Sequence, residues 1–115
     1  MLLVEDDVDT LDVTSMLVRG GNYLVATAET FAQALCQMRE HEFDLLISDI
    51  ALLDGTGLDL MREIQQHQKG IKGIALNGYG THEDVRLAKV AGFAAHLTKP
   101  VSFPSLETII REIVG

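Results

Sequence analysis

Charged residues end three short apolar runs of this 115-residue chain. Glu5 and Asp6 follow the first run, Asp49 follows the second and Lys99 follows the third. Carboxylates are ligands that Mg²⁺ prefers, and an ammonium group binds phosphate oxygens. A carboxylate can also attack phosphorus as a nucleophile and form an acyl phosphate. These residue types therefore indicate a site for a divalent cation and a phosphoryl group.

Apolar runs alternate with amphipathic segments along the whole chain. This alternation predicts a βα unit repeated five times, which folds as a doubly wound parallel sheet with helices on both faces. We expect one α/β domain over residues 1–115, with the five strands in the order 2-1-3-4-5. The expected strands are residues 2–4, 24–27, 45–48, 71–76 and 94–97.

Capping residues and glycines mark the expected helices between these strands. Four helices are expected to follow Asp7, Thr30, Thr81 and Ser102, and the third helix of the chain to begin near Gly57. The last helix has a stripe of apolar residues at helical spacing, which predicts one buried face. The stripe comprises Leu106, Ile109, Ile110, Ile113 and Val114.

Parallel strands share a carboxyl edge, and ligands of open α/β folds bind there. Glu5, Asp6, Asp49 and Lys99 are therefore expected to lie close together. Crowded carboxylates repel one another, so a bound cation should stabilise the fold. The plainer alternatives are that the first acidic residues only cap a helix, and that Lys99 is an ordinary solvated side chain.

Composition excludes several classes of function. A net charge of −8, with nine Lys and Arg against seventeen acids, argues against a nucleic-acid surface. No apolar stretch reaches the roughly 18 residues of a membrane span, so we expect a cytoplasmic protein without membrane insertion. The single Cys36 excludes an intramolecular disulfide and is expected to be buried in a helix.

Four motifs resemble, in order and spacing, the receiver domain of two-component response regulators. They are Leu-Leu-Val-Glu-Asp-Asp at 2–7, Asp-Leu-Leu-Ile-Ser-Asp-Ile at 44–50, Asp-Gly-Thr-Gly at 54–57 and Thr-Lys-Pro at 98–100. Each motif alone is weak, but together they cover the whole chain. The resemblance implies a flavodoxin-like (βα)5 fold and a phosphoacceptor domain that signals rather than an enzyme.

The same resemblance implies a role for each residue at the strand ends. Asp49 would be the phosphoacceptor, and Glu5 and Asp6 the acidic pair that binds Mg²⁺ or Mn²⁺ together with Asp49. The backbone carbonyl of Ala51 would complete the protein ligands of the metal, and Lys99 would contact the phosphoryl group. The phosphoryl donor would be a phosphohistidine on a sensor histidine kinase or a histidine phosphotransfer protein.

Two positions depart from the residues that the family uses for switching. Asn77 stands where the family has Ser or Thr, and its planar amide can donate a hydrogen bond but cannot move as a hydroxyl does. His96 stands where the family has an aromatic switch residue. Burial would disfavour a charged His96, so switching would become sensitive to pH; an exposed histidine at a strand end is the alternative.

Two further departures bear on the lifetime of the phosphoryl group. Ala51, two residues after Asp49, and Tyr79, two residues after Asn77, match positions that affect hydrolysis in the family. Neither side chain orients or activates water, and the Tyr79 ring could shield an acyl phosphate. These residues therefore predict slow hydrolysis of the phosphoaspartate.

Partners of such a domain would include the phosphodonor and the element that reads the switch. The resemblance implies an output surface on the fourth helix, fifth strand and last helix, where a homodimer is possible. The Ala- and Leu-rich helices and the Asn-Gly-Tyr-Gly sequence at 77–80 weakly resemble receivers attached to hybrid sensor kinases.

Two other functions remain open. The first is a degenerate receiver that binds partners without phosphorylation, which Asn77 suggests. The second is a phosphohydrolase similar to the haloacid dehalogenases, which also form an aspartyl phosphate. Those enzymes carry a second acid two residues after the nucleophile, where this chain has Ala51.

Overall fold

The computed structural model describes residues 1–78 and 82–114. Its elements in chain order are β1 (Leu2–Val4), α1 (Val8–Gly20), β2 (Ala26–Ala28), α2 (Phe31–Glu40), β3 (Leu45–Asp49), β4 (Ala51–Leu52), β5 (Gly55–Thr56), α3 (Gly57–His67), β6 (Lys72–Asn77), α4 (His82–Ala91), β7 (Ala95–Thr98) and α5 (Phe103–Val114). None of the helices in these two described ranges combines the length and the hydropathy that a membrane span requires.

The main sheet has five parallel strands in the order β2-β1-β3-β6-β7. Because β6 and β7 are its fourth and fifth strands along the chain, this order confirms the predicted 2-1-3-4-5 arrangement. The prediction missed the short antiparallel hairpin of β4 and β5, which follows β3 directly. In register, Val4 pairs with Ser48 and Asp49 with Leu76, so the strands end close to one another.

Apolar side chains cover both faces of the sheet. One core cluster packs under α2, α3 and α4, and the other packs under α1 and α5. β3 alternates between them, with Leu46 in the first cluster and Ile47 in the second. Burial on both faces explains why these strands read as continuous apolar runs.

Most of the expected helix starts are found. Asp7 and Thr30 are the N-caps of α1 and α2, and the hydroxyl of Thr30 accepts a hydrogen bond from the Gln33 amide at 3.1 Å. The third helix begins at Gly57, and Ser102 precedes α5. Thr81, the expected cap of the fourth helix, lies outside the described residues.

Three expectations about burial and strand bounds are wrong. Cys36 is exposed, because Ala34 and Met38 point to the core and a residue two positions away from each on a helix points outward. Leu24 lies before β2 and is exposed. On α5, Leu106 and Ile110 are buried, whereas Val114 at the helix end is exposed.

Candidate functional site

Three carboxylates meet at the carboxyl edge of the sheet. Glu5 and Asp6 follow β1, and Asp49 ends the neighbouring β3. One ligand oxygen from each of the three residues lies within 4.8 Å of the others. The parallel register of β1 and β3 therefore produces the acidic cluster that the strand ends predicted.

Lys99, the residue after β7, joins this cluster. Its Nζ donates hydrogen bonds to Glu5 Oε2 at 2.7 Å and to Asp49 Oδ2 at 3.0 Å. The Lys99 backbone N–H donates to the Asn77 carbonyl at 2.7 Å, which ties the residue to the end of β6. The Lys99–Pro100 peptide is cis. Lys99 is thus a partner of the carboxylates and not a freely solvated side chain.

Burial makes the charges of this cluster costly. Glu5 is only 3% exposed and Asp49 only 7%. Burial raises the pKa of both carboxyl groups, and hydrogen bonds from Lys99 oppose this increase only in part. Burial lowers the pKa of Lys99, but its hydrogen bonds to Glu5 and Asp49 outweigh that effect, and the pKa is raised.

The charge balance of the cluster favours a dication. Three ionised carboxylates and one ammonium leave a formal charge of −2. All three side chains offer hard oxygen ligands, the donor type of Mg²⁺ and Mn²⁺ sites. The donor set and its uncompensated charge therefore fit such an ion.

The loop after Asp49 leaves no room for a larger residue at its base. The Ile50 N–H donates to the Leu76 carbonyl at 3.0 Å, and the Gly57 N–H donates to the Ile50 carbonyl at 2.7 Å. A Cβ atom at Gly57 would lie 2.3 Å from the Asp49 carbonyl oxygen. Gly57 is therefore required by the close approach of α3 to the end of β3, and not only by a turn.

The remaining expected site residues lie around the cluster. Asn77 ends β6 beside Asp49 and is buried. Ala51 lies on the exposed β4 hairpin. His96 is half-buried on β7, and its Nε2 has no hydrogen-bond partner among residues 1–78 and 82–114. Tyr79 lies outside the described residues.

A cavity of about 770 Å³ extends from the acidic cluster along the cleft between α1 and α5. Asp49 and Lys99 line one end, and Val13, Leu17 and Phe103 line its apolar part. Val13 and Leu17 are exposed on α1. The site is therefore open to solvent on a side with an apolar surface.

Two specific contacts of this region were not predicted from the sequence, although Glu5 and Lys99 were expected to lie close together. Glu5 is the closer partner of Lys99, although 94 residues separate them. Asp54 accepts hydrogen bonds from two amides of α2. Its Asp-Gly sequence signals a turn, but no local pattern reveals a partner more than twenty residues away.

Sequence comparisons identify relatives over the whole chain. A family model for the response regulator receiver domain matches residues 1–111. Transcriptional regulatory protein ZraR of Klebsiella oxytoca is 30% identical over 115 residues, which are 100% of this chain and 26% of that protein. Transcriptional regulatory protein GlrR of Escherichia coli is 35% identical over 112 residues, 97% of this chain and 25% of that protein. The chain spans about a quarter of the length of these relatives.

Solved structures share the fold. The crystal structure of a response regulator receiver domain protein (CheY-like) from Methanospirillum hungatei has a TM-score of 0.90 and 32% sequence identity. The match covers 96% of this chain and 89% of that chain. Both kinds of comparison therefore point to the same family.

Proposed function

The chain belongs to the response regulator receiver domains, the signalling domains of two-component systems, and we propose that it accepts a phosphoryl group on Asp49. The observation that carries the proposal is the contact of Lys99 Nζ with the buried Asp49 carboxylate at 3.0 Å. Phosphoryl transfer needs positioning and neutralisation of charge, and this pair supplies both at an open cavity.

Mg²⁺ or Mn²⁺ is the cofactor that this donor set suits. Glu5, Asp6 and Asp49 would hold the ion through carboxylate oxygens, and Ala51 through its backbone carbonyl. When bound, the ion would neutralise negative charge on the phosphoryl oxygens and on the carboxylates. It would also favour ionised Glu5 and Asp49, whose pKa values burial raises.

The transfer itself exchanges one bond to phosphorus for another. An oxygen of ionised Asp49 forms a P–O bond, the P–N bond to a donor imidazole breaks, and the imidazole leaves with the electron pair. Lys99 neutralises charge on the phosphoryl oxygens. The Asn77 amide, at the end of the adjacent strand, donates a hydrogen bond to the transferred group in place of the family hydroxyl. Asn77 and His96 are the positions through which phosphorylation would reach the output surface, although the Asn77 amide cannot move as a hydroxyl does.

The phosphodonor is a sensor histidine kinase or a histidine phosphotransfer protein, and it approaches through the open cavity. Val13 and Leu17 give that side an apolar surface on which a donor helix can pack. We expect Val13→Asp to slow transfer from a phosphohistidine donor without changing phosphorylation by acetyl phosphate. Equal slowing with both donors would contradict a docking role.

A second surface, which shares α5 with the cavity wall, would carry the output. The surface of α4, β7 and α5 includes exposed Arg86 and Lys89 and is the place for a partner or for a second copy of the domain. Phosphorylation of Asp49 adds charge and acceptor oxygens beside Lys99, which directly follows β7 of this surface. Light scattering with and without phosphorylation would test the homodimer.

We expect slow hydrolysis of the phosphoaspartate because of the residue types at Ala51 and Tyr79. The Ala51 side chain has no polar group that could orient an attacking water. We expect Ala51→Asn to shorten the half-life of the modified protein. Decay of the unmodified sequence within seconds, with Mg²⁺ present, would contradict this part of the proposal.

Intact-mass measurement after incubation with acetyl phosphate and Mg²⁺ tests the proposed function. We expect one added phosphoryl group on the wild type and none on Asp49→Asn. Asp59→Asn, which changes an exposed aspartate on α3, is the matched control and should be modified like the wild type. A folded wild type without any adduct would support the degenerate receiver instead.

A further inference from the structure

The loop after the acceptor strand is held at its base by backbone hydrogen bonds. Ile50 and Gly57 form these bonds, and between them β4 and β5 pair Ala51 with Thr56. At the tip of the hairpin, Leu52 packs against the core, whereas the next residue, Leu53, is 84% exposed. Leu53 therefore does not anchor the tip, and the direction of the hairpin relative to the acidic cluster depends on other contacts.

Asp54, at that tip, makes one such contact. Its Oδ1 accepts a hydrogen bond from the Phe31 amide at 2.8 Å, and its Oδ2 accepts one from the Ala32 amide at 3.2 Å. Both amides belong to the first turn of α2, whose N–H groups have no partner within the helix. The ring of Phe31 packs so closely on Gly55 that a Cβ atom there would lie 2.8 Å from it.

We propose that Asp54 is a positioning residue that holds the Ala51 carbonyl toward the metal ligands by fastening the hairpin tip to α2. This inference rests on the proposed function. Ala51 lies between the base of the loop, which Ile50 and Gly57 hold, and the tip, which Asp54 holds. The direction of the Ala51 carbonyl therefore depends on the contacts at both ends. Outer contacts that orient a metal ligand contribute to affinity although they never touch the ion.

A second cap on the same helix provides the control. Thr30 accepts a hydrogen bond from the Gln33 amide at 3.1 Å, so Thr30→Ala removes a cap from α2 without touching the hairpin. Asp54→Ala removes a cap and also frees the hairpin tip. A difference between these two variants therefore reports the position of the loop and not the stability of α2.

Two measurements on the full chain separate the variants: Mg²⁺ affinity by calorimetric titration, and hydrogen exchange of the Gly57 amide by NMR. We expect Asp54→Ala to raise the Mg²⁺ dissociation constant roughly tenfold, since lost outer-shell support typically has that effect. It should also accelerate Gly57 exchange. Thr30→Ala should leave both close to wild type, and Asp54→Asn, which keeps one acceptor oxygen, should fall between.

Equal behaviour of Asp54→Ala and Thr30→Ala in both measurements would overturn the inference. So would Mg²⁺ affinity unchanged in Asp54→Ala while wild type binds the ion. A wild type that binds no Mg²⁺ would contradict the metal part of the proposed function. In that case, unchanged Gly57 exchange in Asp54→Ala would overturn the positioning role, and accelerated exchange would support it.

Discussion

At the carboxyl edge of the sheet, Glu5 and Asp49 are buried with raised pKa values. At the amino edge, the neutral side-chain amide of Gln68 forms hydrogen bonds with the backbone of the neighbouring loops. Gln68 Oε1 accepts a hydrogen bond from the Phe43 amide at 2.9 Å. Its Nε2 donates to the Met38 carbonyl at 3.1 Å and to the His41 carbonyl at 2.8 Å. One side chain thus joins the end of α2 to the start of β3.

The two edges of the sheet differ in the charge of these polar groups. Buried carboxylates that repel one another cost stability, so we expect the stability of the carboxyl edge to depend on a bound cation and on pH. Neutral, fully used hydrogen bonds contribute under all of these conditions. If the proposed function holds, one edge of the sheet binds the metal and the phosphoryl group, and the other edge contributes only to stability.

The largest expected effect is stabilisation by Mg²⁺. At a concentration about one hundred times its dissociation constant, a ligand of the folded state adds about 2.7 kcal/mol to the free energy of unfolding. Urea unfolding with and without Mg²⁺ measures this change. Asp6→Asn, which replaces a charged carboxylate by a neutral amide, should show a much smaller increase. If Mg²⁺ stabilises Asp6→Asn as much as the wild type, the acidic cluster is not the site through which Mg²⁺ stabilises the fold.

Gln68→Ala tests the amino edge. Loss of three hydrogen bonds to backbone groups should lower the free energy of unfolding by about 1–2 kcal/mol. The decrease should be the same with and without Mg²⁺, because Gln68 lies at the other edge. A decrease that disappears when Mg²⁺ is added would mean that the two edges are coupled.

Asp49→Asn should change the free energy of unfolding less than Gln68→Ala does, and should raise it instead of lowering it. Burial raises the pKa of Asp49 above its ordinary value of 3.8, so the folded protein binds more protons than the unfolded chain just above that pH. Metal-free stability contributed by this group is lost as pH rises. Asp49→Asn should therefore become increasingly more stable than wild type from about pH 4 upward.

Urea unfolding of both proteins across this pH range, with a chelator, measures that difference. Lys99 should not contribute to it, since its pKa is raised from 10.5 and it stays charged throughout. The Phe31 amide donates a hydrogen bond to ionised Asp54 and so lowers the pKa of this carboxyl group. The stability that Asp54 contributes to the folded protein is therefore lost only as pH falls. A wild type that gains stability over Asp49→Asn with rising pH would refute the assigned sign.

The sequence predicted those parts of the molecule that local patterns encode. Continuous apolar runs ending in charge identified the buried strands, and the shared edge of parallel strands then brought Glu5, Asp6, Asp49 and Lys99 together. The roles assigned to these residues remain predictions. The two-residue strands β4 and β5 are too short to leave a periodic signal.

Long-range hydrogen bonds explain what was missed. The acceptor of the Phe31 amide is 23 residues away, and the partner of Gln68 at Phe43 is 25 residues away. Such pairs depend on how the helices pack, which residue types alone do not specify. The expected burial of Cys36 was wrong for a related reason, since composition does not tell which side of α2 faces the sheet.

Locating the phosphoryl group tests the central claim most directly. After reaction with acetyl phosphate and Mg²⁺, borohydride reduces an aspartyl phosphate to homoserine, which tandem mass spectrometry assigns to one position. We predict homoserine at Asp49 and at no other carboxylate. Homoserine at Asp6 or elsewhere, or none in a folded protein with Mg²⁺ present, would contradict the account.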